Sequence, residues 1–258
     1  MHPGPVTDGR LDFEDDFDGS RLDRTVWLPH YLPAWSSREE SAATYDVAES
    51  CVHLTIPPGQ RLWCPGDHPP MRVSGLQSGN CSGPLGSTVG QQPYRDGLTV
   101  REEQEPFWGW TPHHGRIEVR ARAVLTPLSM VACWLVGLEN RPERSGEICV
   151  AEIFGSTVQP GESAAVGMGL HPFRDPAVSE DFEAVRLPID VAAFHTYAVD
   201  WRPGRADFLV DGTLVRSCQD PPDYPVQMML AVFDFPGADP PNGVVPALVV
   251  DRVRARPS

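Results

Sequence analysis

Apolar residues in this chain recur at every second position and almost nowhere at helical spacing. Gly115–Val124 reads G-R-I-E-V-R-A-R-A-V, with Arg116, Glu118, Arg120 and Arg122 on one face and Ile117, Val119, Ala121 and Ala123 on the other. Side chains on a strand alternate faces, so this run predicts an antiparallel strand with one face in a core and one in water. The same period predicts strands over 130–137, 147–154, 164–170, 196–201 and 206–210. Asp211-Gly212, between two β-rich runs, predicts a hairpin turn, because both residues tolerate positive φ. With 28 Pro and 23 Gly in 258 residues, short strands joined by turns are favoured over long helices. The fold class expected is all-β, a sandwich of two antiparallel sheets. No linker, charge block or internal repeat divides the chain, so residues 1–258 are expected to form a single domain. The stretch 57–93 is crowded with Pro, Gly and Ser and is too long for an ordinary connection; it predicts a long loop with some strand content lying over the domain.

Charge narrows the partners. The formal net charge is -14, and such a surface repels phosphate backbones and anionic lipid, so no nucleic-acid and no membrane partner is expected. The 21 basic residues are all arginine, which excludes Schiff-base and other lysine chemistry. No apolar run approaches the roughly 18 residues of a membrane span. The first eleven residues lack a signal-peptide hydrophobic region. The expectation is a cytoplasmic protein if Met1 is the native start and a secreted one if a signal was removed. The chain is expected to be monomeric. Its six cysteines form no CxxC pair and no zinc-finger spacing, so most are expected to be buried thiols. Cys64–Cys81 is the best candidate for a disulfide. Cys64, His68 and Cys81 make at most a three-ligand zinc site.

The chemistry centres on Glu147-Ile148-Cys149-Val150-Ala151-Glu152. On a regular strand, a spacing of five puts Glu147 and Glu152 on opposite faces. One extra residue, a β-bulge, returns Glu152 to the face of Glu147 and Cys149. Two carboxylates on one face of a sheet are the minimum equipment for cutting a glycosidic bond. The plain alternative is a pair of solvated glutamates on an edge strand.

Fragments along the whole chain carry a family resemblance. Asp15-Asp16-Phe17-Asp18-Gly19 with Leu22-Asp23 and Trp27, then His114–Arg122, Cys133-Trp134-Leu135, Phe194–Trp201, Val210-Asp211-Gly212 and Val250–Arg254 come in the order and spacing of one known fold. The chain resembles glycoside hydrolase family 16, the laminarinase-like enzymes on a concanavalin A-like jelly roll. The resemblance implies a β-sandwich jelly roll with a concave substrate cleft and a retaining, endo-acting β-glycoside hydrolase of β-1,3-glucanase type. It implies Glu147 as nucleophile and Glu152 as general acid/base, in the bulged form of the family motif. Cys149 stands where that motif has Asp, whose implied role is to support the nucleophile through a shared proton. A neutral thiol is a weak donor, and flanking carboxylates keep it protonated. The partner implied is a carbohydrate substrate. Substrate-binding residues implied or suggested are Trp134, Trp108, Trp110, His171 and, more weakly, Arg116, Glu139 and Asn140. No cofactor is required. A structural calcium is possible, with Asp251 at the carboxylate position and the segment 14–19 supplying carbonyl oxygens.

Other functions remain open at this stage. A non-catalytic carbohydrate-binding protein on the same fold is favoured by Cys149 and opposed by retention of both glutamates. A transglycosylase uses the same chemistry with a sugar acceptor. A hydrolase of a glycosylated metabolite would use the 57–93 loop to close one end of the cleft. Cys149 as a nucleophile would need a histidine partner to form a thiolate, and two flanking glutamates oppose that charge.

Overall fold

The computed structural model describes residues 12–236 and 243–257. Among these residues, sixteen strands follow one another as β1 (Phe13–Asp15), β2 (Thr44–Ala48), β3 (Cys51–Thr55), β4 (Arg72–Gln77), β5 (Gly79–Asn80), β6 (Phe107–Trp108), β7 (Gly115–Val124), β8 (Ser129–Gly137), β9 (Glu147–Phe154), β10 (Ala164–His171), β11 (Asp181–Leu187), β12 (His195–Arg202), β13 (Arg205–Val210), β14 (Thr213–Gln219), β15 (Val226–Asp234) and β16 (Ala247–Arg256). One sheet runs β14-β13-β12-β7-β16-β3-β2, with β1 also paired to β16; the other runs β11-β10-β9-β8-β15-β4. Ladder after ladder is antiparallel, and runs of consecutive strands are joined by pairings between distant parts of the chain, β7 with β12 and β16, and β8 with β15, as in a jelly roll. No helix among the described residues is long and apolar enough to cross a membrane.

The alternation read from the sequence sets which face is buried. Ile117, Val119, Ala121 and Ala123 of β7 meet Val131, Cys133 and Leu135 of β8 and Ile148, Val150 and Ile153 of β9 in the core between the sheets. The Asp211-Gly212 turn between β13 and β14 has φ of 48° and 76°, the left-handed pair of a tight hairpin.

β8 is buried along its whole length, which a half-solvated strand would not be. Its second face, Met130, Ala132, Trp134 and Val136, packs with Leu32, Trp35, Trp63, Leu98 and Val100 in a second apolar cluster. The long loop expected over 57–93 is therefore a folded cover. Its residues Arg72–Gln77 form β4, the edge strand of the second sheet itself, and its Trp63, together with residues 31–35 and 98–100, packs over one half of that sheet. The other half, over β9 and β10, stays open as a cleft.

All six cysteines are free thiols and most are buried, as expected, and the candidate Cys64–Cys81 disulfide is not formed. Cys64 Sγ donates to the Trp35 carbonyl at 3.0 Å, and Cys81 Sγ points to the Leu138 carbonyl at 3.6 Å. The two thiols are held by different partners, which also leaves no three-ligand set with His68.

Gly169 of β10 lies opposite Cys149 in the ladder, at φ +145°. A Cβ there would collide with the backbone oxygen of Asp181. Backbone cannot yield as a side chain can, so Gly169→Ala is expected to cost on the order of 3 kcal/mol, a fall in Tm of about 10 °C. Gly59→Ala is the control: nothing lies within 4 Å of its added Cβ, and its Tm should stay within about 2 °C of the parent. Thermal unfolding of the two variants side by side checks both.

Candidate active site

The bulge expected in the hexapeptide is present. Against β8, Cys133 faces Ala151 while Trp134 faces Cys149, leaving Val150 as the extra residue. Against β10 the same slip appears, with Gly167 opposite Glu152 and Gly169 opposite Cys149. Ile148, Val150, Ala151 and Ile153 all go into the core between the sheets. Two successive residues on the core side are what the extra residue accomplishes, and Glu147, Cys149 and Glu152 come out together on the other face. There they line a cavity of about 460 Å³ with Trp134, His171, Tyr31, Gln92 and Phe233 among its walls.

Burial dominates the electrostatics of the pair. Glu147 is buried and Glu152 partly so. Desolvation, then the charge of Glu152, pushes Glu147 up to about 8, against the pull of a hydrogen bond from Gln92. Desolvation also raises Glu152, opposed by the nearby His171. Burial of both acids, and the charge of Glu152 acting on Glu147, favour their protonated forms. Cys149 is raised well above the ordinary thiol range by burial and by both glutamates, and stays a neutral SH. Its Sγ lies 3.9 Å from the Gly167 carbonyl, so the thiol hydrogen has an acceptor on β10. A thiolate nucleophile is incompatible with that environment.

The cleft walls partly match the sequence reading. Trp134 lines the cleft, but at 5% exposure it is packed among Tyr31 and Phe233 and offers an edge, not a broad platform. Its buried indole N–H has no partner among the described residues. His171 lines the cleft beside Glu152 and is tied to Glu180 at 2.9 Å.

Four expectations are corrected. Trp108 is exposed on β6, whose partner β5 lies outside the second sheet, and it is not part of the cleft wall. Trp110 stacks on Phe13 at 4.2 Å and packs against the main core. Their spacing around Gly109 suggested a paired sugar platform. Gly109 instead passes so close to the Val26 carbonyl that no Cβ would fit between them, and the segment is pinned to the N-terminal stretch. Arg116 is on the outer face of β7, in the other sheet, where its Nε donates to Glu118 at 2.8 Å.

Asp251 is the fourth. It sits at a bulge of β16 and accepts a hydrogen bond from the Arg120 guanidinium through Oδ2; its Oδ1 is buried without a partner among the described residues. A guanidinium already neutralises the carboxylate and would repel a cation. The acids of β1 are also engaged, Glu14 by Arg254 and Asp15 by the Trp27 indole at 2.8 Å. The side-chain carboxylates here do not fit a calcium ion. The three metal-ligating side chains that do converge among the described residues, His113, His114 and Asp223, form a close group outside the cleft.

Several cleft residues were missed. Phe233 and Phe235 alternate at the end of β15, and that period-2 signal was available in Phe233-Asp234-Phe235. Phe173 is 55% exposed at the rim. Tyr31 and Gln92 arrive from far along the chain, and nothing local in the sequence marks them.

This architecture can be set beside known proteins. A model of the family described as Glycosyl hydrolases family 16 matches residues 110–242, half of the chain, including β9 and its bulge. The chain belongs to glycosyl hydrolase family 16. Among solved structures, likeness of fold extends over nearly the whole chain. A GlcNAcα1-4Gal releasing endo-β-galactosidase from Clostridium perfringens is similar with 25% identity and a TM-score of 0.79, over 99% of this chain and 63% of that one. This chain thus spans less than two thirds of the length of the Clostridium protein. A laminarinase from Flavobacterium sp. UMI-01 shares the fold at 19% identity and TM-score 0.64, over 95% and 99% of the two chains. The endo-β-1,3-glucanase from Pyrococcus furiosus does so at 18% and 0.65, over 96% and 94%. No curated protein sequence matches significantly.

Proposed function

We propose that this chain is a retaining, endo-acting β-glycoside hydrolase that uses Glu147 as nucleophile and Glu152 as general acid/base. The observation that carries the reading is the bulge of β9, which delivers both carboxyls and no other acid of that strand to one open face. Glu152 protonates the departing glycosidic oxygen while Glu147 attacks the anomeric carbon. Water then breaks the glycosyl-enzyme ester, giving its proton to Glu152. The division of roles follows exposure. Glu147 lies deeper, where a sugar covers it, and Glu152 is nearer solvent, where it can recover a proton. Phe233 and Phe235 stack at 6.5 Å, and Phe154 extends the row at 6.4 Å, an apolar path along which sugar rings can lie.

The resemblance read from the sequence pointed to a β-1,3-glucan. Overall likeness favours a second reading of the sugar, a β-galactoside, since the endo-β-galactosidase superimposes at 0.79 and the β-1,3-glucanase at 0.65. One assay addresses both. Laminarin, lichenan, a β-galactan and mucin-type O-glycans are incubated with the parent protein, Glu147→Gln and Cys149→Asp, and new reducing ends are counted. The proposal expects release by the parent and less than about one part in a thousand by Glu147→Gln. Equal release by both removes Glu147 from the mechanism. A silent parent with an active Cys149→Asp makes this chain a carbohydrate-binding protein.

A further inference from the structure

Position 149 carries a thiol that cannot serve Glu147, so the nucleophile needs another partner. The structure supplies one from outside the motif. Gln92 Nε2 donates to Glu147 Oε2 at 3.0 Å, the side-chain hydrogen bond to Glu147 among the described residues. Gln92 lies at the end of the long cover, 55 positions away in sequence. Its placement is built, not incidental. The Gln92 backbone N–H donates to Glu139 Oε1 at 2.5 Å, and Glu139 is in turn bound by the Arg174 guanidinium. The neighbouring Gln91 is fixed on three sides. Its carbonyl accepts from the Trp35 indole at 2.5 Å, its Oε1 from the Cys81 N–H at 3.1 Å, and its Nε2 donates to the Leu138 carbonyl at 3.2 Å. Gln92 and Glu139 both hold left-handed backbones, φ 43° and 52°, which non-glycine residues adopt at a cost.

We propose that Gln92, held by Glu139 and Arg174, is the positioning residue for Glu147 and takes the place of the carboxyl that position 149 lacks. The inference rests on the two-glutamate reading of the cleft. An amide N–H at this point orients the carboxylate and favours its charged form, the two services a neighbouring acid would give through a shared proton. The acids and the thiol facing Glu147 oppose its charge. Glu152 and Cys149 share its strand, Glu139 follows β8, Glu180 precedes β11, and each of these disfavours a negative Glu147 or is disfavoured by it. Tyr31 also feels the Glu147 charge, and His171 stands across the ladder on β10. Gln92 is the group whose hydrogen bond pulls the other way. Glu139, buried and pushed up to about 7 by desolvation against the pull of Gln92 and Arg174, is matched to its donors, not free to act as a third acid in the cleft.

The test follows the ionisation of Glu147 by NMR of carboxyl-labelled glutamate, which needs no substrate. The proteins compared are the parent, Gln92→Ala, Gln92→Glu and Gln92→Ala combined with Cys149→Asp. Loss of one hydrogen bond to a charged group should raise Glu147 by roughly one to two pH units in Gln92→Ala. Gln92→Glu keeps the side-chain length and the backbone bond to Glu139, and should raise it at least as far. The carboxyl introduced by Cys149→Asp can, when protonated, donate the missing bond, so the double variant should bring Glu147 back down. On any substrate cleaved by the parent, kcat/KM should fall roughly 10- to 100-fold in Gln92→Ala, chiefly in kcat, and recover in the double variant. An unmoved Glu147 in folded Gln92→Ala and Gln92→Glu overturns the proposal, as does failure of the added Cys149→Asp change to lower it again. A parent that cleaves nothing, or that cleaves without Glu147, overturns the hydrolase reading instead; the titration still decides the role of Gln92.

Discussion

Glu147→Gln is expected to yield a protein that cleaves nothing and is markedly more stable than its parent. The loss of turnover follows from removing the proposed nucleophile; the gain follows from burial. A carboxyl whose pKa is raised on folding contributes stability below its unfolded pKa and loses it as pH rises through the folded one. For Glu147 that window runs from the ordinary glutamate value of 4.5 to about 8. Over it the unfolded chain ionises this carboxyl while burial keeps the folded one protonated, so stability falls steadily as pH rises. The loss amounts to roughly 3 kcal/mol at pH 7 and about 5 kcal/mol above pH 8. An amide of the same shape keeps the acceptor for Gln92 and carries no charge. The variant should therefore match the parent at pH 4, melt about 10 °C higher at pH 7 and diverge further at pH 9. Thermal unfolding at the three pH values measures it. Equal Tm at pH 9 would mean that Glu147 is solvated in the folded protein, and with it the cleft electrostatics described above would fall. The expected pattern is that of a site whose reactive geometry is maintained at the expense of stability.

The sequence made the frame of this protein legible and left its walls obscure, for a physical reason. Strands such as β7 and β9 are written locally, because face alternation is a property of adjacent residues. The bulge was legible too, since two glutamates at an odd spacing can share a face only if one residue is added. β8 was legible as a strand but not as a doubly buried one, because the second cluster is assembled from residues 31–35, the long cover and residues 98–100. Trp108 and Trp110 looked like a sugar platform because aromatics do the same thing in sequence whether they line a cleft or fill a core. Only the close approach of Gly109 to Val26 decides between them. Arg116 and Asp251 failed on sheet membership and on Arg120, facts set by pairing across the ladder of β7 and β16. Gln92 is the clearest case. Its partner Glu147 is brought to it by the whole fold, and a glutamine pair before a proline gives no local sign.

Azide should distinguish the two glutamates by the hand of the product, and this is the most direct test of their assigned roles. With Glu147 truncated to Ala, the face opposite the leaving group is left with a hole about the size of a small anion. On an aryl β-glycoside, azide entering there attacks the anomeric carbon once as the aryloxide departs. One inversion gives the α-glycosyl azide. With Glu152→Ala the nucleophile is intact, and an aryloxide needs no proton to leave, so the glycosyl-enzyme still forms. It then waits, because no base activates water. Azide needs no base, attacks from the side of the missing Glu152 and displaces Glu147. Two inversions give the β-glycosyl azide. Before azide is added, Glu152→Ala should be about 10²- to 10⁴-fold slower than the parent on natural glycans and much less impaired in forming the intermediate from the aryl glycoside. The logic depends on both groups reaching one anomeric carbon from opposite sides, which requires the shared face that the bulge creates. The products are separated by NMR of the anomeric proton. A β-azide from Glu147→Ala would exchange the two roles. An α-azide from both variants would mean that no covalent intermediate forms and that the carboxyls work through a water, as inverting enzymes do.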